Sequence, residues 1–157
     1  MSDVMIDLET LSTSPNAVIL TLGAVKFNRT PVNSNSGAPT LDSLNSFYRR
    51  IEIESCIAKG LVVSPDTEEW WRSQNSEARH EAMEHKDRIP LVQALKEFST
   101  WFLGSKNVWS HGATFDCVIL EHAYRACGLD VPWMFWDARD TRTLYDVSGV
   151  VLKDFAV

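Results

Sequence analysis

Val4-Met5-Ile6-Asp7-Leu8-Glu9-Thr10, followed by Ala17-Val18-Ile19-Leu20-Thr21-Leu22-Gly23-Ala24-Val25-Lys26-Phe27, decides the fold. In the first segment Val4, Ile6 and Leu8 alternate with Met5, Asp7 and Glu9, the two-residue period of a strand. The second, rich in β-branched and apolar residues, reads as a well-buried strand over 17–27. A polar run over 28–43 clusters Asn, Ser, Gly and Pro and is expected to be a loop. Beyond it Phe47, Arg49, Ile51 and Ile53 alternate with Tyr48, Arg50 and Glu52, which predicts a third strand. Together these form an antiparallel three-strand meander.

Further along, the period changes. Ser64-Pro65-Asp66-Thr67 is a helix start, with Glu68 and Glu69 in the first turn where the helix dipole favours acids. Leu91, Leu95, Phe98 and Phe102 repeat at helical spacing between Pro90 and Gly104. Residues 107–110, with Val108 and Trp109, read as a short buried strand. Residues 116–127 read as an amphipathic helix stopped by Gly128, and 141–147 as a short helix. Strands first, then helices alternating with a strand, define an α/β domain with a mixed sheet flanked by helices. The 157 residues form a single domain on this reading, without repeats or linkers.

Composition narrows the function classes. A hydrophobic share of 45% supplies a core and argues against disorder. Cys56, Cys117 and Cys127 are odd in number and form no CxxC pair, so a disulfide framework or zinc ribbon is not expected. The longest apolar run, 17–25, is broken by Thr21 and Gly23 and is too short to span a bilayer, and the N-terminus carries acid where a signal peptide is basic. No membrane association and a cytoplasmic location are expected. A net charge of −6 argues against a protein that tracks duplex grooves, but an acidic metal site is compatible with it.

Asp7 and Glu9 stand two apart on one strand, so both side chains leave the same sheet face, roughly 7 Å apart along the chain. Side by side in a buried place, two carboxylates resist ionising together, and a divalent cation removes the conflict. Such sites take further carboxylates from elsewhere, and Asp116, after the turn His111-Gly112-Ala113-Thr114 and at a helix start, is the third candidate. The structural alternative stays open on pattern alone: Asp66-Thr67-Glu68 also matches D-x-E and reads as helix capping, and Asp116 could be an N-cap. The central apolar strand around Asp7-Leu8-Glu9 is what sets it apart.

Met5-Ile6-Asp7-Leu8-Glu9-Thr10 with Gly23-Ala24-Val25 resembles the first motif of the DEDD 3′→5′ exonucleases, the superfamily of RNase T, the proofreading epsilon subunit and oligoribonuclease. The stretch 108–120, in which Phe115-Asp116 opens a helix, resembles the second. With Trp70-Trp71 and Arg139-Asp140-Thr141-Arg142-Thr143-Leu144 the chain looks most like the bacterial and phage RNase T-like and exonuclease VIII-like branch. The resemblance implies an RNase H-like fold and two Mg2+ or Mn2+ ions, with Asp7 contacting both and Glu9 and Asp116 one each. It implies Thr10 and Leu11 at the terminal nucleotide, and a substrate that is the 3′ end of single-stranded nucleic acid, released as nucleoside monophosphates. By analogy it implies a homodimer.

The family pattern also asks for a fourth aspartate with a histidine five residues before it, close to H-x-A-x-x-D. The last histidine is His122, and Asp154 has Gly149 five positions earlier, so the chain is expected to be incomplete at its C-terminus. The alternative function is an inactive remnant that binds a nucleic-acid end or a partner protein. Asp140 is expected to cap a helix near Arg142, and His111 to hold its turn at the edge of the substrate site. Trp70 is a candidate base-stacking residue, with Trp71 the other option, while most of the six tryptophans are expected in the core. Arg49, Arg50, Arg72, Arg79, Arg139 and Arg142 read as solvated surface, with a phosphate rim as the alternative.

Overall fold

In the computed structural model, which describes residues 1–29, 41–151 and 153, the Asp7 strand β1 (Ser2–Thr10) sits near the middle of a six-stranded sheet. Strands β2 (Ile19–Phe27), β3 (Leu41–Ile51), β4 (Arg88–Ile89), β5 (Ser105–Ser110) and β6 (Ala138–Asp140) complete it in the order β4-β3-β2-β1-β5-β6. The first three strands form the antiparallel meander, while β5 runs parallel to β1, and β6 parallel to β5. The helices are α1 (Ile53–Ile57), α2 (Pro65–Ser73), α3 (Ser76–Met83), α4 (Leu91–Phe102), α5 (Asp116–Ala126) and α6 (Thr141–Ser148). Among the described residues no helix is long and apolar enough to cross a membrane.

The alternation in β1 does what its period requires. Val4, Ile6 and Leu8 are buried with Leu22, Ala24 and Val108, and the apolar faces of α4 and α5 pack over that side of the sheet. Phe98 of α4 is fully buried and holds the layers together, its ring 5.3 Å from Phe47 of β3 and 5.9 Å from Phe102. Trp133 leans on the same cluster, and Tyr124 of α5 donates to the Leu95 carbonyl. Phe98→Ala should therefore destabilise the fold by about 3–5 kcal/mol, read from urea unfolding; a loss under 1 kcal/mol would contradict this packing.

Several expectations need correction. The third strand stops at Ile51: Glu52 caps, and Ile53 opens α1. The alternation through Ile53 is overridden by tertiary contacts, because Glu52 N–H donates to Ile89 O, and the Arg88 guanidinium donates to the Leu20, Ile51 and Ala82 carbonyls at the strand's end. Residues 41–43, placed in the expected loop, belong to β3, and 30–40 lie outside the described residues, as does Asp154. The short elements α1, α3, β4 and β6 carried no periodic signal long enough to predict.

Candidate active site

β1 and β5 are parallel, so their C-terminal ends meet at one rim of the sheet, where ligand sites of α/β folds gather. β5 stops pairing with β1 after Met5 opposite Trp109, which leaves the last part of β1 without a strand on that side. Asp116, the first residue of α5, fills the gap: its Oδ1 accepts a hydrogen bond from Leu8 N–H at 3.1 Å. The third carboxylate thus lies against the backbone between Asp7 and Glu9.

The electrostatics follow from this placement. Burial pushes the Glu9 carboxyl up to about 7, helped by the negative charges of Asp7 and Asp116. Asp116, only 5% exposed, is pushed up to about 6 by burial and by Asp7, although the bonds from backbone N–H groups and the charge of Arg142 pull the other way. Asp7 is more open to solvent, yet its partial burial also raises it. Among the described residues none of the three forms an ion pair. By contrast Asp3, on the same strand face, is paired with Arg29 at 2.7 Å and accepts from Asn107 and Trp109. The chain neutralises the acid that is structural and leaves the other three repelling one another.

A donor set made only of carboxylate oxygens suits a hard divalent cation such as Mg2+ or Mn2+. Among the described residues, however, no three His, Cys, Asp or Glu side chains are already closed into a metal-holding group. The three acids act on one another electrostatically around Leu8, with one Asp116 oxygen committed to the backbone. The ligand set fits in its chemistry and is open in its arrangement.

Beside Glu9 runs a groove of about 460 Å³, lined by Thr10, Ser64, Thr67, Trp70, Phe115 and others. That volume is in the range of small-ligand sites. Trp70 is 53% exposed on its wall and stands edge-on to Trp71, whose indole N–H donates to Thr10 O. Trp71 is therefore a strut and Trp70 the free aromatic face. Thr10 borders the groove but its hydroxyl donates to Ser12 O, and Leu11, 2% exposed, is a core residue. The resemblance implies Leu11 at the terminal nucleotide; in this arrangement its side chain lies in the core and its N–H and C=O are bonded to Val18 and Ser64. The sequence reading missed Ser64, Thr67 and Asp66, which it treated as capping alone; all three line the groove, and Ser64 makes no side-chain cap bond.

His111 Nδ1 is 3.0 Å from Thr141 Oγ1, which ties the turn after β5 to the start of α6. Asp140 caps α6 as expected: Oδ1 accepts from Arg142 N–H and Oδ2 from Ala113 N–H, both at 2.8 Å. Burial opposes its charge, but these and neighbouring backbone N–H groups outweigh burial and hold the carboxyl below the usual range. Most of the arginine rim dissolves. Arg49 pairs with Glu97, Arg50 with Glu81, and Arg79 and Arg139 donate to carbonyls. Of the tryptophans, Trp71 and Trp133 are buried, Trp101 and Trp109 half-buried, and Trp70 and Trp136 exposed.

A mixed sheet opening on an antiparallel meander, with a D-x-E strand near its middle and a third acid at a helix start, is the architecture of the RNase H-like fold. The chain belongs to the 3′-5′ exoribonuclease Rv2179c-like domain family, which matches residues 2–154. It is 26% identical to an exodeoxyribonuclease of Enterobacteria phage T4 over 164 residues, covering 91% of this chain and 70% of that one. In fold it resembles E. coli Exonuclease I in complex with a 5cy-dA13 oligonucleotide, at 16% identity and a TM-score of 0.56, covering 94% of this chain and 29% of that chain. It also resembles cell-death related nuclease 4 (CRN-4), at 8% identity and a TM-score of 0.53, covering 83% of this chain and 41% of that chain. The chain thus spans less than half of either solved structure.

Proposed function

We propose that this chain removes nucleoside monophosphates from the 3′ end of single-stranded nucleic acid, with Asp7, Glu9 and Asp116 holding a divalent cation. The observation that carries the reading is the trio of unpaired acids around Leu8, beside a groove with an exposed indole. Asp7, Glu9 and Asp116 would hold Mg2+ or Mn2+, which would supply Lewis-acid chemistry at the phosphoryl group.

The protein's own groups do the rest. Trp70 offers a face on which the terminal base stacks, an interaction indifferent to sequence. Thr10 and Phe115 shape the groove floor next to Glu9. Asp116, held by Leu8 N–H, keeps its acid at the point where the strand end must arrive. The family is one of exoribonucleases and the phage relative is an exodeoxyribonuclease, so RNA and DNA are both substrates to test.

The test is hydrolysis of 5′-labelled single-stranded DNA and RNA of equal sequence, with Mn2+ or with EDTA. Shortening from the 3′ end that requires Mn2+ and is absent in Asp7→Ala supports the proposal. The second reading, strand-end binding without hydrolysis, is favoured by the open ligand set. A chain that binds the strand but shows neither hydrolysis nor heat of Mn2+ uptake in calorimetry belongs to that reading.

For Trp70 the expectation is narrower. Trp70→Ala should weaken single-strand binding by about 1–3 kcal/mol in fluorescence anisotropy while leaving the melting temperature unchanged. Equal affinity in the variant would remove the indole from the substrate site.

A further inference from the structure

Gly112, in the turn between β5 and α5, has φ 108°. A Cβ at this position would stand 3.4 Å from an Arg142 terminal nitrogen and 3.7 Å from its Cζ. The Arg142 side chain therefore folds back from the first turn of α6 over the turn that delivers Asp116. Its base is anchored from two sides: Asp140 bridges Ala113 N–H and Arg142 N–H, and Thr141 Oγ1 donates to Ser110 O. The guanidinium itself makes no hydrogen bond or ion pair among the described residues, although its charge reaches Asp116. Arg29, Arg49 and Arg50 are by contrast all engaged with carboxylates.

We propose that Arg142 is the phosphate-contacting cation of this site. Its fork donates to the non-bridging oxygens of the phosphate nearest the strand's 3′ end. A phosphate approaching three acids meets repulsion, and a cation laid over the turn that delivers Asp116, with no carboxylate paired to it, offsets that repulsion. Arginine suits the role because its planar fork matches two phosphate oxygens at once. Gly112 makes room for the fork, because a side chain there would crowd it.

This inference rests on the nuclease reading, and the experiment separates the two. A 5′-labelled single strand with a free 3′ hydroxyl is titrated with the full chain in EDTA over a series of KCl concentrations, followed by anisotropy. Arg142→Gln should weaken binding about tenfold. It should also reduce the slope of log affinity against log salt by about 0.7, the value for one phosphate contact on a single strand. Arg142→Lys should keep the slope but recover only part of the affinity, since a point charge replaces a fork. It also serves as the folded control if Arg142→Gln is unstable. If the wild type binds and both variants match it in affinity and slope, the inference is overturned while the nuclease reading stands. If the wild type binds no strand and hydrolyses none, both fall.

Discussion

Asp7→Asn is expected to lower hydrolysis by about a thousandfold or more while making the metal-free protein more stable at pH 8. The first effect follows from losing one charged ligand, since metal-assisted polarisation supplies several kcal/mol of transition-state stabilisation and each 1.36 kcal/mol is tenfold. The second follows from repulsion. Glu9 has a folded pKa of about 7, partly because of Asp7 and Asp116, against an ordinary 4.5. Between those values the folded chain binds the proton more tightly than the unfolded chain, so stability is greatest below pH 4.5 and is lost as pH rises towards 7. Asp116 adds a loss in the same direction between 3.8 and about 6.

Charges facing these groups are Asp7, Glu9 and Asp116 themselves, with Arg142 the opposing cation. Removing the Asp7 charge relieves both neighbours. The gain at pH 8 should be modest, because Asp7 is exposed and solvent screens its charge, and it should show as a higher melting temperature in EDTA. At pH 4 the gain should vanish. Added Mn2+ should reverse the order, stabilising the wild type and leaving the variant unmoved. Melting curves in EDTA and in Mn2+ at both pH values decide the matter. A variant that is less stable than the wild type at pH 8 without metal would mean that Asp7 is a structural acid.

Asp116 should separate into two functions. Asp116→Asn removes the charge but keeps an amide oxygen for Leu8 N–H, so activity should fall by about a thousandfold with stability kept or raised. Asp116→Ala removes the acceptor as well. It leaves a buried backbone donor unsatisfied where β5 has already turned away, at a cost of about 1–3 kcal/mol. The pair of variants, compared by chemical unfolding and by turnover on the same strand, distinguishes a site residue from a cap. Equal stability of both would show that water satisfies Leu8 N–H. Full activity of Asp116→Asn would remove Asp116 from the site.

That Asp7 and Glu9 share one face of the sheet was legible in the sequence, because a two-residue period forces it whatever the rest does. The groove was not. Its walls come from β1, the loop before α2, α2 itself and the end of the turn at Phe115, segments up to about a hundred residues apart, and no local pattern links them. Asp66 and Thr67 looked like helix-start residues because they are; their second role depends on where α2 is docked, and the Trp71 indole bond to Thr10 O sets that. Leu11, two residues past Glu9, shows the reverse limit: its side chain turns inward to the core, a placement that no local pattern announced.

By itself the sequence determined the meander, the helix between Pro90 and Gly104, the helix over 116–127, and two acids on one face of the first strand. Periodicity and composition are local properties, and burial enforces them. Only the tertiary structure decided that Asp116 replaces a missing strand partner at Leu8, that Asp140 is bound to capping, and that Arg142 lies over Gly112 with its charge unclaimed. Those facts depend on where parallel strands end and which backbone groups are left without partners. Distances through space fix them, and spacing along the chain does not.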